Sequence, residues 1–431
     1  MYGKTPTYNL KAVVQETGLT PATIHAWERR YSLFKPSRSP GGHRLFSEDE
    51  INLLKWLVAR KNEGLSISQA VELWRSRADP FQVQIEVHSF PQPVIVSAEG
   101  TLDQLRKTWL AACLDFDEPM AEMAMAKALA IATPEVVCIQ MLQKGLAELG
   151  EGWYAGKVSV QQEHFASALV ARRLNALFSI APTPTRPGRL LAACPPGEDH
   201  DLSLLMLAFI LRWRGWELIY LGADVSLDHL DATLQAISPQ LVLSVAQTLP
   251  GAASLSMLAE MVNERSILLA YGGGIFNRIV DLSGHIRGRF LGRQFDMAPQ
   301  AIEQLLTYRP PQPPPLPLPA TYAATLEGFR EKEAFIVSRV RQLLQTSPID
   351  LRYIEVANAN FASAVVSALA LGDIHFLDHS SEWLNGLLEN YGMPTAFAVQ
   401  YYIAFQQAVQ EQLGLQAQPI LQWLDRFSNE N

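Results

Sequence analysis

Cysteine is scarce in this chain. Cys113, Cys138 and Cys194 are its three, and no two stand at CxxC spacing. That excludes a disulfide framework and a cysteine-based zinc site, and it fits a reducing compartment. No secretory leader pattern opens the sequence, and no apolar run is long enough to span a bilayer. A cytoplasmic protein without a membrane partner is therefore expected. No segment repeats another, which excludes a solenoid. Charge is sparse at 18% of residues and unevenly placed. Residues 1–77 carry 12 Lys and Arg against 7 Asp and Glu, whereas the whole chain has net charge −8. The N-terminal segment is thus about +5 and the remainder roughly −13. A small basic module on an acidic body reads as a nucleic-acid reader joined to something else.

At 431 residues and 48% hydrophobic content, the chain has material for several cores. The expected fold class is multidomain. Residues 1–77 read as an α winged helix-turn-helix, 78–98 as a linker and 99–181 as a four-helix bundle. Residues 187–307 read as an α/β Rossmann-like doubly wound parallel sheet, 308–320 as a proline-rich linker, and 321–431 as a C-terminal all-α domain. The helix starts carry chemical signals. Thr20-Pro21 places a capping hydroxyl before a proline at the first helical position. Ser47 to Glu50 and Ser66 to Gln69 both fit the capping box. Four amphipathic stretches near 102–115, 118–132, 134–151 and 158–180 are separated by short breaks, as in an antiparallel bundle. Apolar strands at 189–194, 217–221, 240–246 and 266–271 alternate with helices. Seven prolines between Pro310 and Pro319 make a stiff spacer, which predicts that the helices after it form a separate unit.

Gly18 to Tyr31 reads as a turn followed by a recognition helix, ending in Trp27-Glu28-Arg29-Arg30-Tyr31. A loop with Arg38, Gly41, Gly42, His43 and Arg44 follows. Its glycines allow a tight hairpin and its arginines suit phosphates. In this order the elements resemble the winged helix-turn-helix of the MerR family, over most of residues 6–77. The resemblance implies that Thr20, Thr23, Arg29, Arg30, Tyr31, Arg38, His43 and Arg44 face double-stranded operator DNA. Trp27 is read as core.

Three further segments point to a ligand. Gly197-Glu198-Asp199-His200 lies between an apolar strand and an apolar helix. It therefore sits at the carboxyl edge of a parallel sheet, where such sheets bind ligands. An imidazole there can ligate a metal, and an acidic neighbour can fix its tautomer. Trp153-Tyr154 precedes Glu163-His164 across a break containing Gly156. A Trp face covers a flat aromatic group, and a Glu accepts hydrogen bonds from hydroxyls. The loops at Tyr220 to Asp224, Ser244 to Thr248 and Tyr271 to Gly274 all follow strands and offer hydroxyls and close backbone approach.

Together these segments resemble a cobalamin-binding module, a helical cap over a Rossmann-like domain whose loop histidine replaces the lower axial base. With the reader, residues 6–307 resemble the CarH/LitR group of light-dependent MerR regulators. The resemblance implies adenosylcobalamin as cofactor. It implies His200 as the cobalt ligand with Glu198 behind it, and Trp153, Glu163 and His164 at the upper face. Ser244, Gly272 and Gly273 would line the nucleotide tail. It further implies a repressor without catalytic residues, assembled as a homo-oligomer (dimer or tetramer) that light loosens. Three positions depart from the group's pattern. Ser203 replaces a glycine, Ala246 a larger apolar residue, and Tyr154 the histidine that captures cobalt after illumination in the best-known branch. A neutral phenol is a weak ligand, so a bis-histidine adduct through that position is not expected.

The C-terminal helices, read near 323–345, 350–371, 377–391 and 394–414, lie outside that plan. His375 and His379 stand four apart, on one face if helical, and could serve haem or a bilin's propionates. The photocobilins, with an added globin-like domain that binds biliverdin, offer an analogy of domain order. No cysteine lies in this region, which excludes a thioether-linked bilin there. Two rivals follow: a regulator whose cobalamin site has decayed and whose sensor is this domain, and a cobalamin-dependent enzyme.

Overall fold

The computed structural model describes residues 8–31, 37–38, 44–62, 67, 71, 98–311, 313–314, 316–347, 351–390 and 396–428. They fall into two compact units, Met1–Pro93 and Val94–Asn431. In the first, β1 (Tyr8–Asn9) and β2 (Ser37–Arg38) both pair antiparallel with β3 (Arg44–Phe46). Helix α1 (Leu10–Thr17) starts on Asn9, whose side chain accepts from Ala12 N–H, and stops at Gly18 with φ 70°. Helix α2 (Pro21–Tyr31) starts on Thr20, whose hydroxyl accepts from Thr23 N–H at 3.2 Å. Helix α3 (Glu48–Asn62) has the expected capping box: Ser47 N–H donates to Glu50 at 2.7 Å and Glu50 N–H to Ser47 at 3.3 Å. Val13, Ile24, Trp27, Phe46, Leu54 and Leu57 form the core, with Trp27 in it as read from the sequence. The second capping box (Ser66 to Gln69), the wing tip with Gly41, Gly42 and His43, and the linker short of Ala98 lie outside the described residues.

The second unit begins with the bundle. Helices α4 (Ala98–Leu114) and α5 (Glu118–Ile131) precede α6, which runs from Pro134–Val137 through a π segment at Cys138–Gln143 into Lys144–Tyr154. Helix α7 (Val160–Ser179) closes the bundle with a Ser159–Gln162 capping box. The sheet follows as β4 (Arg189–Ala193), β5 (Glu217–Gly222), β6 (Leu241–Val245), β7 (Leu268–Gly272) and β8 (Arg289–Phe290), in spatial order β5-β4-β6-β7-β8 and all parallel. The two-residue β8 is too short to register as an apolar run. Its helices are α8 (Leu202–Trp213), α9 (Leu230–Ile237), α10 (Leu249–Glu264), α11 (Ile275–Arg278) and α12 (Ala298–Tyr308). Leu204 to Leu211 of α8 are all buried, because α8 serves the sheet on one side and the bundle on the other. The strand order reverses between β4 and β6, and ligands bind beyond the carboxyl ends of strands at such a point.

Helices α13 (Ala320–Leu343), α14 (Leu351–Leu371), α15 (Leu377–Asn390), α16 (Ala396–Leu413) and α17 (Gln418–Ser428) complete the chain. They do not stand apart, as the proline spacer led us to expect. One apolar core takes in Leu255, Leu258 and Val262 of α10, Phe361, Val365 and Leu369 of α14, and Phe405 and Trp423 beyond. The spacer is itself tied down. Arg287 donates to the Pro313 carbonyl at 2.9 Å, and Arg289 to that of Pro311. An extended proline run leaves its carbonyls free for such donors. A second correction concerns Tyr353–Leu371 of α14, which is long and apolar enough to cross a bilayer. Glu355, Asn358 and Asn360 interrupt its apolar run in the sequence, and it packs as a core helix against α10 and α13. A third concerns His375 and His379. His375 sits in a 3-10 turn, Ile374–Phe376, before α15 begins, so the two share no regular helix face.

Removing everything after Arg309 strips α14 from α10. Such a truncated chain should melt at lower temperature than the full chain and bind a hydrophobic dye such as ANS. A truncated chain that melts like the full one and binds no dye contradicts the shared core.

Candidate cofactor cleft and DNA interface

In the reader unit, Thr20 is exposed at the start of α2, and its hydroxyl lies 2.8 Å from that of Thr23. Arg44, on β3, faces Glu28 of α2 at 3.4 Å, and Glu28 also lies 3.4 Å from His25 Nδ1. Glu28 thus ties the wing strand to the recognition helix, a link the sequence reading missed. Tyr31 packs partly buried against the core rather than standing clear of it. Arg29 and Arg30 lie on α2 and Arg38 on β2, while His43 is outside the described residues.

The cleft in the second unit is built around a buried carboxylate. Glu198 is fully buried in the loop after β4. One oxygen lies 2.7 Å from His200 Nδ1 and accepts the His200 N–H at 3.1 Å. The other accepts from Gln247 N–H at 2.7 Å and from Thr248 N–H at 3.4 Å, at the start of α10. Gly251, in the first turn of α10, makes room for it, since a methyl there would run into the carboxylate. Helix N-termini hold anions in this way. Burial alone would raise the Glu198 carboxyl. The hydrogen bonds from the His200 ring and from the Gln247 and His200 amides outweigh it and hold the carboxyl below its usual range. The Glu198 hydrogen bond raises His200 above the ordinary imidazole value against the effect of burial. The negative charges of Glu198, Asp199 and Glu163 add to the rise.

With Nδ1 engaged, the His200 ring presents Nε2 outward, and its side chain is 66% exposed. That is the tautomer a metal needs. The residues across from it come from the bundle. Glu163, in the first turn of α7, accepts from Ser167 at 2.6 Å, and its charge reaches His200. Trp153, at the end of α6, packs partly buried against the bundle core. His164 is 74% exposed, and its Nδ1 lies 3.5 Å from the Glu163 carboxylate. The structure therefore brings the Glu163 carboxylate within electrostatic reach of His200, with the exposed His164 ring beside that carboxylate.

Deeper in the sheet, Ser244 is buried and donates to the Ala193 carbonyl at 2.7 Å. Gly272 has open space where a side chain would be, and Gly273 (φ 123°) lies against the Ala246 backbone, where no Cβ fits. Ser203 is explained by Gln247. Gly274 N–H donates to Gln247 Oε1 at 2.7 Å, which leaves Nε2 to donate to Ser203 at 3.1 Å. Gln247 thereby joins three of the loops that meet at the cleft. The sequence showed it only as one polar residue after a strand. An outward imidazole on a fixed carboxylate, with a side-chain-free cradle beside it, fits a metal-centred cofactor with a long tail. The three cysteines do not compete for the metal. All are buried, and burial pushes each thiol up to about 12.

The shifted pair fixes a pH window. Glu198, held below its ordinary 4.5, stabilises the fold above that pH, and its contribution is lost as pH falls through the lowered value. His200, raised above its ordinary 6.5, contributes fully below that pH and loses its contribution as pH rises through the raised value. The stability lost on His200→Gln should therefore be largest between about pH 4.5 and 6.5 and shrink on either side. Glu198→Ala should cost on the order of 1–3 kcal/mol, because it leaves buried N–H groups without an acceptor. Urea titrations across pH test both. A flat pH profile for His200→Gln contradicts the coupling.

Two parts of the chain match known families. Residues 8–76 match the model of the MerR HTH family regulatory protein, and residues 105–178 match the B12 binding domain. The HTH-type transcriptional repressor CarH of Myxococcus xanthus is 30% identical over 236 residues, 55% of this chain and 77% of the relative. The repressor CarA of the same organism is 30% identical over 240 residues, 55% and 75%. Among solved structures, the monomethylamine corrinoid protein of Methanosarcina barkeri aligns with 48% of this chain and 100% of its own. It does so at 15% identity and a TM-score of 0.41. The chain belongs to the MerR-type transcriptional regulators that carry a B12-binding domain, the family of CarH and CarA.

Proposed function

We propose that the chain is a transcriptional repressor whose grip on operator DNA is set by adenosylcobalamin and by light. The observation that carries the reading is the Glu198–His200 pair, which engages Nδ1 and leaves the other imidazole nitrogen for a ligand, within electrostatic reach of Glu163. His200 would hold the cobalt from below, with Glu198 fixing the ring's tautomer. Trp153 would cover the adenosyl group and Glu163 would accept from its sugar hydroxyls. Ser244, Gly272 and Gly273 would line the nucleotide tail. Bound there, the cofactor supplies a cobalt–carbon bond that visible light breaks. A shift of α6 at Trp153 would then loosen a homo-oligomer whose several readers bind DNA together. Thr20, Thr23, Arg29, Arg30, Tyr31, Arg38, His43 and Arg44 would make the DNA contacts, with the repressor acting in the compartment that holds the DNA. With Tyr154 at the capturing position, light-exposed protein would hold its cobalamin loosely or use His164, which would line the upper face with Trp153 and Glu163.

In the dark with adenosylcobalamin, the full chain should retard selected genomic DNA fragments, and green light should lower that affinity at least tenfold. His200→Ala should abolish the difference. Affinity should fall steeply with salt, because phosphate contacts release counterions. Equal retention in dark, in light and without cofactor overturns the proposal. A second reading is favoured by an open cavity of about 520 Å³ in the C-terminal helices, lined by Tyr322, His375, Gln416 and Trp423 among others. That is a size that suits a small molecule. Biliverdin or haem held there should give the full chain a new visible band when it is produced with either one. A colourless product under both conditions overturns this second reading.

A further inference from the structure

Helix α15 touches both walls of the cofactor cleft. Its start is pinned to the sheet side. The His285 ring donates to the Leu371 carbonyl at 2.6 Å, the His285 and Phe376 rings meet edge-on at 4.9 Å, and Leu377 is fully buried. His379 follows within the first turn. Burial and the nearby Arg278 guanidinium hold its imidazole below the ordinary value. Arg278 donates to the carbonyl of Gln247, the residue whose N–H holds Glu198. Gly386 lies seven residues beyond His379, two turns along and so on the same face. There α15 meets the bundle, because a methyl on Gly386 would overlap the Tyr154 hydroxyl. Tyr154 ends α6 directly after Trp153.

On the far side, bundle and sheet share a core through Leu205, Met206 and Phe209 of α8, and that seam cannot part without exposing it. The Gly386–Tyr154 contact is of another kind. Neither Gly386 nor Tyr154 is part of that core.

We propose that α15 is a strap joining the two walls of the cofactor cleft, and that it must leave Tyr154 before a corrin ring can enter or exit. The strap rests on the reading of the cleft as a cobalamin site. It gives the C-terminal helices a role in cofactor exchange, and it gives Tyr154 a role as the strap's seat.

Stopped-flow uptake and release of aquocobalamin by the full chain test it. Gly386→Ala pushes α15 off the hydroxyl, so both rates should rise about tenfold or more while equilibrium affinity changes little. Adding Tyr154→Phe to Gly386→Ala removes the overlap and should restore the slow rates. Hydrogen exchange on the unaltered chain gives a readout that does not depend on a variant's folding. The amides of α15 should change protection when aquocobalamin binds. Uptake with rates within twofold in all three proteins, or unchanged α15 protection, overturns the strap alone. No uptake by the unaltered chain overturns the cobalamin reading, and the strap with it.

Discussion

A carboxylate with no access to water must find its hydrogen bonds inside the protein, and the second unit is arranged around how Glu198 finds them. Two backbone amides at the start of α10 hold one oxygen, and the amide and ring of His200 hold the other. The helix end supplies positive potential where the charge sits. Because Glu198 cannot turn, neither can His200, and the ring nitrogen left over points where a ligand can reach it. Losing either support would leave a buried charge uncompensated, which costs more than the pair contributes when intact.

The same constraint links parts of the chain that are far apart in sequence. Gln247 donates its backbone N–H to Glu198 and its side-chain N–H to Ser203, and it accepts from Gly274 N–H at its side-chain oxygen and from Arg278 at its backbone carbonyl. Ser203 departs from the family pattern, yet here it is a working member of that network. The C-terminal helices enter through α14, whose apolar length is spent on α10, the helix whose first turn holds Glu198. The sheet domain and the C-terminal helices therefore share one core, and α10 is common to both.

Much of the layout was legible in the sequence because it rests on local chemistry. Caps such as Thr20 and Ser47 act within one turn, and period-two and helical apolar patterns act within one element. Glu198 and His200 are two residues apart, so their pairing was visible from the loop alone. Gly251 and Gln247 were not, because their roles depend on a carboxylate about fifty residues upstream. The proline run misled for a physical reason. Its stiffness is local, whereas its carbonyls find Arg287 and Arg289 only in the folded sheet. His375 and His379 misled in the same way, since the 3-10 turn before α15 breaks the spacing on which a shared face depends.

The central claim is that His200 supplies the lower ligand to cobalt. It is tested most directly by electron paramagnetic resonance of the full chain loaded with cobalamin in the Co(II) state, with and without ¹⁵N-histidine. Each cobalt line should split into a triplet with ordinary histidine and into a doublet with the labelled form, and His200→Ala should lose that splitting. Triplets that persist after labelling would assign the lower nitrogen to the cofactor's own base and contradict the account.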